Sequence, residues 1–520
     1  LGGWIDGWQY AATEVVYKMT DNRLAMMCAR FAVASLVLIF LPTLFLGAAF
    51  PAAVRLIARS QKIGADFGMV AAWNIAGGVG GTLITGFILV PTLGLIRTLW
   101  LLALASVLIG SAAIMDRNST TRSYAVAGGL VAVVILLAVL TPPNKLGRML
   151  AEDRGGKLIY YDESAEGTVA VLEQSTANQT FHRLYIQGVS NTGDTLPSRR
   201  YMRLQGLLPL IIQSSTPESA LVIGLGTGIT AGSLLAYPLQ HRECVELLPA
   251  AIEAASLFDG NRGAPSDSRL AIHVGDGRHY LLATEKQFDL ITLEPPPPSA
   301  RGVVNLYSTD FYELAHTRLT PDGLLAQWWP ITTQNVEDSQ AMMRSILDVF
   351  PYVSVWTTDI YEMMVVGSMQ PIELDIERIE RRFEVPDVKE VLTEVGISNS
   401  SELLATYVMG REGLETFVAN ARPVTDNHPS IEYAPWIRPE VIQRVLPRLL
   451  ELAETPHVKN ATQDLREEIQ AEQQELSDFY RVILAADAGD RELWKKLVSR
   501  VVSRDPENPY YRWFLGDRTQ

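Results

Sequence analysis

The sequence predicts an α/β protein in which a doubly wound parallel sheet follows a helical membrane domain and precedes a helical tail. Three patterns predict this arrangement. Long runs without charge occupy residues 1–142. From Ala220 onward, short apolar strands alternate with helical stretches, which is typical of a parallel sheet covered by helices. From residue 437 the chain is rich in charge and has a helical pattern.

The membrane domain, residues 1–142, contains about four predicted spans. Each uncharged run is long enough, or nearly so, to cross ~30 Å of hydrocarbon. Four such runs in so short a stretch favour spans over buried core helices. Because the sequence begins at Leu1 rather than at Met, we expect further spans upstream. The runs are Phe31–Val54, Gly68–Ile96, Thr98–Met115 and Ser123–Leu140.

Charge divides unevenly between the two parts of the chain. Residues 1–142 carry nine Lys or Arg and five Asp or Glu, whereas the rest carries 35 and 53. An acidic second part argues against nucleic acid as a partner, because phosphate binding needs a basic face. The two cysteines, Cys28 and Cys244, indicate neither a disulfide nor a metal site, and the seven histidines lack paired ligand spacing. We therefore expect no bound metal.

Residues 158–215 are expected to form a β-strand segment. Alternating runs at Gly167–Leu172 and Arg183–Gln187 predict antiparallel strands, with turns at Asn178 and Gly188.

The doubly wound domain is expected over residues 216–435, and the helical tail over 437–520. Parallel strands end at one edge of their sheet, where doubly wound folds bind ligands. The predicted strands are Ala220–Ile223, Arg242–Glu246, Ala271–Val274, Phe288–Leu293 and Gly323–Gln327.

A glycine turn follows the first of these strands. Gly224, Gly226 and Gly228, with Thr227 between them, lead from a buried strand into a helix. Glycines allow positive φ and let a ligand approach the backbone closely. The pattern alone also fits a plain tight turn.

Acidic residues end the neighbouring strands at the same edge. Glu246 ends the second strand and can accept hydrogen bonds from both ribose hydroxyls, although an ordinary strand-end carboxylate is the alternative. Asp276, followed by Gly277, ends the third strand and can accept from an exocyclic adenine amine. Glu294 ends the fourth and precedes the rigid run Pro295–Pro298. Together with the glycine turn, these residues predict a nucleoside site.

In these residues the chain resembles the spermidine synthases, or aminopropyltransferases, and in particular their bacterial membrane-fused relatives, over residues 158–435. The resemblance implies a Rossmann-like domain of the S-adenosylmethionine-methyltransferase type. It implies S-adenosylmethionine or its decarboxylated form as the ligand, and transfer of a propylamine group to a diamine. The resembling segments are the glycine motif, Glu246, Gly275–Gly277, Asn305–Tyr312 and Leu184–Gly188 with Pro209–Leu210.

The resemblance also implies roles for individual residues. Glu246 would hold ribose and Asp276 adenine, beside the glycine motif. Glu294 matches the first acid of the family's Asp-x-x-Asp-Pro loop, and Tyr307 lies on the loop that closes over the site. We take both as candidate catalytic residues, with a buried aromatic as the alternative for Tyr307.

The chain departs from the family at three acids that handle amines. Thr227 stands where the family has an Asp that helps hold the donor's amine. The family's Tyr-His-Glu triplet reads Tyr201-Met202-Arg203, and we expect Arg203 to repel a polyamine. The family's general base falls on Pro297, which cannot accept a proton. Loss of the base typically costs ~10²–10⁴-fold, so ordinary aminopropyl transfer to putrescine is expected to be very slow or absent.

Three functions stay open: a group transferase, a non-catalytic binding or assembly subunit of a membrane complex, and a methyltransferase on the same scaffold. Expected partners are a small-molecule nucleoside and membrane lipid. Other membrane subunits or a second copy of this chain are further candidates.

The basic residues give conflicting predictions of how the chain is oriented in the membrane. Arg55, Arg59 and Lys62 mark one loop as cytoplasmic, and the basic cluster at 145–157 marks the next domain as cytoplasmic too. Three predicted spans separate the two loops, which would place them on opposite sides of the membrane. Either one segment is therefore re-entrant, or one basic cluster does not mark a cytoplasmic region. Because the expected ligand is made in the cytoplasm, we expect a bacterial inner-membrane protein with its later domains there.

Other residues near the site in sequence have structural alternatives. His279 and His316 are candidate bases, but surface or packing histidines are commoner. Trp328 and Trp329 are expected to pack in the core. Asp426 lies in a Thr-Asp-x-x-Pro-like segment and is expected to form a turn.

Overall fold

The computed structural model of the chain describes residues 2–57, 62–114, 120–164, 166–176, 179–298, 300, 302–432 and 442–515. The chain divides into two compact units, Leu1–Pro143 and Asn144–Gln520. Arg59, the predicted turn at Asn178 and the predicted boundary at 435–437 lie outside the described residues.

The first unit consists of helices joined by short links. Gly94, with a φ of 78°, ends one helix at Leu93, so the predicted run Gly68–Ile96 is split between two helices. The helices are α1 (Gly2–Thr20), α2 (Arg23–Ser35), α3 (Leu41–Ile57), α4 (Ile63–Ile84), α5 (Val90–Leu93), α6 (Leu95–Ile114) and α7 (Thr121–Leu140), with π-helical turns at Leu36–Phe40 and Thr85–Leu89.

Among the described residues of this unit, four stretches are long and apolar enough to cross a membrane. Their apolar side chains face outward from the unit, as those of Trp73 and Phe87 do. The stretches are Ala25–Ile57, Ile63–Leu93, Leu95–Ala113 and Thr121–Leu140.

The second unit opens with helix α8 (Lys145–Arg154) and a four-stranded antiparallel sheet in chain order, which confirms the predicted antiparallel segment. Val169, Val171 and Leu184 alternate inward and are buried. The strands are β1 (Lys157–Glu163), β2 (Thr168–Ser175), β3 (Thr180–Ile186) and β4 (Val189–Gly193).

The expectation of β structure up to residue 215 was wrong at its end. Residues Leu196–Ile212 form helix α9, which Pro197 begins in its first turn. Leu204, Leu207 and Leu208 recur at helical spacing and are fully buried.

The large sheet has eight strands in the order β13-β10-β11-β9-β8-β5-β6-β7. The five predicted strands pair in parallel, which confirms the doubly wound core. Three further strands extend it by antiparallel pairing. The strands are β5 (Ser219–Ile223), β6 (His241–Glu246), β7 (Ala271–Val274), β8 (Phe288–Leu293), β9 (Leu319–Pro330), β10 (Tyr352–Asp359), β11 (Glu362–Ser368) and β13 (Tyr407–Met409); β12 (Leu374–Asp375) pairs separately with β14 (Val458–Lys459).

Helices cover both faces of the large sheet. Helix α9 packs on one face, against Ala326, Met364 and Val366. The opposite face, which includes Leu325 and Val365, packs against α13 and α14. The remaining helices are α10 (Ile229–Leu234), α11 (Pro249–Ala255), α12 (Gly277–Ala283), α13 (Thr309–Thr317), α14 (Val336–Val349), α15 (Ile376–Phe383), α16 (Pro386–Thr393), α17 (Ser400–Ala405), α18 (Arg411–Val418), α19 (Ile442–Glu451), α20 (Gln463–Asp487), α21 (Arg491–Arg504) and α22 (Pro509–Leu515).

The predicted helical tail is confirmed, and it packs onto the large sheet. Tyr510 of α22 is fully buried among the aromatic rings of the tail. Its hydroxyl donates to Asp359 (2.6 Å) and accepts from the N–H of Ile360 (3.1 Å). The guanidinium of Arg200 lies 4.1 Å from its ring centre. The tail therefore holds the turn between β10 and β11.

Candidate functional site

The glycine turn joins β5 to α10 at the carboxyl edge of the sheet. Gly224, Gly226 and Gly228 have φ values of 91°, 53° and 80°. These values lie in the left-handed region, which glycine adopts without steric cost. The sequence pattern thus reflects a real backbone requirement.

Glu246 lies beneath this turn and holds it in place. Its Oε2 accepts from the N–H of Leu225 (2.7 Å) and of Gly226 (3.4 Å). Its Oε1 accepts from the N–H of Leu248 (2.9 Å). A carboxylate has about four lone-pair sites. Glu246 can therefore support the turn and still accept from a ligand hydroxyl.

Asp276 caps the helix that follows β7. Its Oδ1 accepts from the N–H of His279 (2.7 Å), and its side chain is exposed. A Cβ on Gly277 would overlap the side chain of Ile223, so glycine lets α12 begin close to β5. His279 is exposed in the first turn of that helix. Asp276 thus lies at the predicted edge, and adenine binding by it stays a prediction.

Glu294, after β8, is held by two hydroxyl groups. Tyr201 donates to its Oε1 (2.6 Å) and Thr230 to its Oε2 (3.2 Å). Burial raises the pKa of the Glu294 carboxyl to about 7, although both hydrogen bonds act to lower it. Glu294 is therefore divided between its charged and neutral forms near neutral pH.

The departure at Thr227 lies beside Met202, which stands where the family's triplet has a His. Thr227 is fully buried, and its hydroxyl lies 3.3 Å from the sulfur of Met202. The hydroxyl of Thr192 on β4 bonds that of Tyr201 (2.7 Å). The third departure, Pro297, lies in the loop after β8, where its carbonyl accepts from Ala300. None of these positions offers a carboxylate to a ligand.

The expectation that Arg203 repels a polyamine in the site was wrong. Arg203 donates to the carbonyl of Val391 (2.8 Å) and pairs with Glu394 (2.7 Å), both in the segment around α16. The physical reason is helical geometry: residues two apart on a helix are separated by about 200°, so Arg203 faces away from Tyr201. The triplet therefore loses an acid without gaining a positive charge at the site.

The aromatic residues divide between the core and the site. Tyr307 is fully buried, burial raises the pKa of its hydroxyl, and this hydroxyl has no hydrogen-bond partner among the described residues. Trp329 packs edge-on against Phe417 in the core, with ring centres 5.5 Å apart. Trp328 instead stacks on Tyr201, with ring centres 6.3 Å apart. Both tryptophans are therefore buried, as expected, Trp329 in the large core and Trp328 in a small cluster with Tyr201.

His316 and Asp426 have structural contacts. His316 lies edge-on to Phe350, with ring centres 6.4 Å apart. Asp426 pairs with Arg278 (2.8 and 2.5 Å) and accepts from Ser308 (2.7 Å). Asp426 therefore fixes the start of α13 in addition to lying in the predicted turn.

Sequence analysis missed one acidic residue, Glu362 at the start of β11, which lies on the face of the large sheet that α9 covers. Its signal was weak: a single acid before the apolar run Met363–Val366. Among the described residues, no group of three or more His, Cys, Asp or Glu could hold a metal ion.

Comparisons with known proteins point to one family. Residues 201–371 match the spermine/spermidine synthase domain. A polyamine aminopropyltransferase of Oceanobacillus iheyensis is 24% identical over 373 residues, which cover 67% of this chain and 70% of that protein. One of Nitrosomonas europaea is 32% identical over 185 residues, 34% of this chain and 56% of that protein. A spermidine synthase structure from Thermotoga maritima has a TM-score of 0.41 and 19% identity, covering 50% of this chain and 87% of that one.

Proposed function

Because this chain belongs to the spermidine synthase-like aminopropyltransferase family, we propose that its second unit binds S-adenosylmethionine or its decarboxylated form and transfers a group from it. The observation that carries this proposal is the glycine turn held by Glu246 beside the half-buried Glu294. In the proposal, Glu246 and Asp276 receive the nucleoside and Glu294 faces the reacting group.

Glu294 supports the proton transfer that the reaction requires. In aminopropyl transfer, the acceptor nitrogen bonds to the carbon beside the sulfonium, the carbon–sulfur bond breaks, and methylthioadenosine leaves. The nitrogen must then lose a proton. A carboxyl with a pKa of about 7 is suited to accept it near neutral pH. We propose Glu294 as the base in place of the acid missing at Pro297.

The test is a calorimetric titration of the detergent-solubilised full chain with S-adenosylmethionine and, separately, its decarboxylated form. We expect saturable binding of at least one of them, and formation of methylthioadenosine when an amine is added. A Glu294→Gln variant should keep the binding and lose the product. Absence of binding by both ligands would contradict the proposal.

One observation favours a second candidate, a non-catalytic binding subunit. Neither Thr227 nor Pro297 supplies a carboxylate, and Thr227 instead packs against Met202. Nucleoside binding without product from any amine would support this candidate over the transferase.

We further propose that the first unit anchors the protein in the bacterial inner membrane, with the second unit in the cytoplasm. Four long apolar helices support the anchoring. The protein should stay in the pellet after alkaline carbonate extraction. Cysteines introduced beyond residue 145 should resist an impermeant thiol reagent in intact cells, and ready labelling there would contradict the cytoplasmic placement.

A further inference from the structure

The helical tail docks on the second unit through its long helix α20, which packs against α17. Ile469 of α20 belongs to the same buried cluster as Leu403 and Leu404 of α17. Helix α21 then folds back against α20, and a short link after Arg504 leads into α22. The contact between α17 and α20 is therefore one of the places that keep the tail on the domain.

Four carboxyl groups from three segments of the chain meet at this contact, and we call them the tail acid cluster. Glu402 belongs to α17, Glu472 and Glu475 to α20, and Asp505 to the link that follows α21. The side chain of Glu402 accepts from the N–H of Ser398 (2.7 Å), and that of Asp505 accepts from Asn508 (2.9 Å). Like charges this close repel one another, so the cluster opposes docking of the tail whenever its members are ionised.

Glu475 is the member with an unsatisfied position. It is 6% exposed, and its Oε1 is buried without a hydrogen-bond partner among the described residues. Asp478, one turn later on α20, is buried as deeply but accepts from Arg500 (2.8 Å) and Gln474 (3.0 Å). A buried carboxylate oxygen without a donor is costly, whereas a protonated carboxyl is less so. A proton is therefore what the Glu475 carboxyl needs in order to stay buried.

The charges around the cluster also favour its neutral form. Burial, followed by repulsion from Glu472, Asp505 and Glu402, raises the pKa of the Glu475 carboxyl to about 7. Burial raises the pKa of Glu402 to about 7 as well, although its bond from Ser398 acts to lower it. The other charged or titratable groups that face the cluster are Arg200 on α9, Glu468 on α20, Arg504 at the end of α21 and Tyr511 on α22.

The two arginines leave the repulsion within the cluster largely uncompensated. Arg504 is exposed to solvent, which screens its charge. Arg200 is buried, but it donates to the carbonyls of Val395 (2.6 Å) and Gly396 (3.1 Å) and lies over the ring of Tyr510. Neither arginine forms an ion pair with a carboxylate of the cluster among the described residues.

The same tail helices hold the turn between β10 and β11. The hydroxyl of Tyr480 on α20 bonds that of Thr357 (2.5 Å), and the hydroxyl of Tyr510 on α22 donates to Asp359 (2.6 Å). Both rings pack against Phe479. Opening of the tail would break both bonds, so the turn is free to move only when the tail is open.

We propose that protons bound to the tail acid cluster control docking of the tail, and through it the order of the β10–β11 turn. Because folding raises the pKa of these carboxyls, their neutral forms stabilise the docked tail at pH values below their pKa in the unfolded chain. This stability is lost as pH rises through about 7. The tail is therefore docked at pH 5 and opens more often at pH 8.

The size of the effect follows from the raised pKa. One carboxyl whose pKa rises from about 4.3 to about 7 on docking would increase the open fraction by up to ~100-fold between pH 5 and pH 8. Because Glu402 and Glu472 are partly exposed, water weakens the repulsion. We therefore expect an increase of about tenfold to a hundredfold for the whole cluster.

The experiment measures hydrogen exchange by mass spectrometry in the detergent-solubilised full chain at pH 5, 6, 7 and 8. Each rate is divided by the intrinsic rate at that pH, so the quotient reports opening. We expect the quotient for α20, α22 and the β10–β11 turn to rise by about tenfold to a hundredfold from pH 5 to pH 8. Peptides from β5 and β8 in the core should not change.

Glu475→Gln is the decisive variant, because its amide has the shape of a protonated carboxyl and cannot ionise. Its tail should open as rarely as that of the parent at pH 5 and about tenfold less often at pH 8. Glu467→Gln, an exposed acid on α20 that is outside the cluster, is the matched control and should behave like the parent.

Two outcomes would overturn the inference. One is an opening quotient of the parent that does not change with pH, and the other is a Glu475→Gln tail that opens with the same pH dependence as the parent. If Glu475→Gln opens the tail at pH 5 as well, its amide does not fit and Glu472→Gln decides. That variant removes one repelling charge beside Glu475, so its tail should open less often than the parent's at pH 8. Equal opening would overturn the inference.

Discussion

Replacing Glu246 by alanine should weaken both the glycine turn and nucleoside binding. The substitution removes two short hydrogen bonds to buried N–H groups, at 2.7 Å from Leu225 and 2.9 Å from Leu248. Hydrogen bonds to charged groups contribute about 1.5–3 kcal/mol each. The free energy of unfolding of the second unit should therefore fall by about 3–6 kcal/mol, as an upper limit.

Cys244 gives a direct assay, because it is fully buried in β6, two residues before Glu246. In a Cys28→Ser background, a thiol reagent should label Cys244 only when the sheet opens. If opening and closing are fast relative to labelling, the labelling rate should rise by about 10²–10⁴-fold in Glu246→Ala. Exposed Glu285→Ala is the control and should label like the parent.

A second measurement separates anchoring of the turn from contact with the ligand. Glu246→Gln keeps one acceptor oxygen, so it should lose less stability than the alanine variant. If it also binds S-adenosyl ligands as tightly as the parent, Glu246 is not a ligand contact. An unchanged Cys244 labelling rate in Glu246→Ala would refute the anchoring argument.

Four further predictions concern other residues of the second unit. The transferase rate should fall as pH decreases through about 7, because Glu294 is then protonated and cannot act as a base; a rate independent of pH between 5 and 8 would contradict its role. Because folding raises the pKa of Glu294, its neutral carboxyl stabilises the fold at pH values below its pKa in the unfolded chain, and this stability is lost as pH rises through about 7. Glu294→Gln should therefore be more stable than the parent at pH 8 but not at pH 4. Tyr510→Phe removes the hydrogen bond to Asp359 and should lower the free energy of unfolding by about 1–3 kcal/mol, measured by urea denaturation; no change would show that the tail does not hold the β10–β11 turn. Gly277→Ala would overlap Ile223 and should destabilise the second unit by about 1–3 kcal/mol, and a melting temperature equal to that of the parent would contradict the close packing.

Local patterns predicted much of the fold. The five parallel strands from Ala220 to Gln327 appear as short apolar runs, and the structure contains each of them. The apolar runs in residues 1–142 correspond to helices that could cross a membrane. Gly224, Gly226 and Gly228 carry the positive φ values that their pattern indicates. These features depend on residues close together in sequence, so the sequence alone is sufficient to indicate them.

The direction of Arg203 and the identity of its partners depended on packing. A substitution of Arg for an acid suggests repulsion at the site only if the side chain points there. The helical turn of α9 directs Tyr201 toward Glu294 and Arg203 toward Glu394. Because residues 158–215 were expected to form strands, the sequence pattern could not predict the helical orientation of these side chains.

The sequence by itself determined the long apolar helices, the parallel strands and the glycine turn with its strand-end acids, because hydrophobic period and backbone conformation are local properties. Only the tertiary structure decided which acids share a face. Glu362 reaches the side of Glu294 through the antiparallel register of β11 on β9, and the tail fixes its turn through Tyr510 and Asp359. Register between strands and docking of a tail depend on contacts between residues far apart in the chain, and no local pattern specifies them.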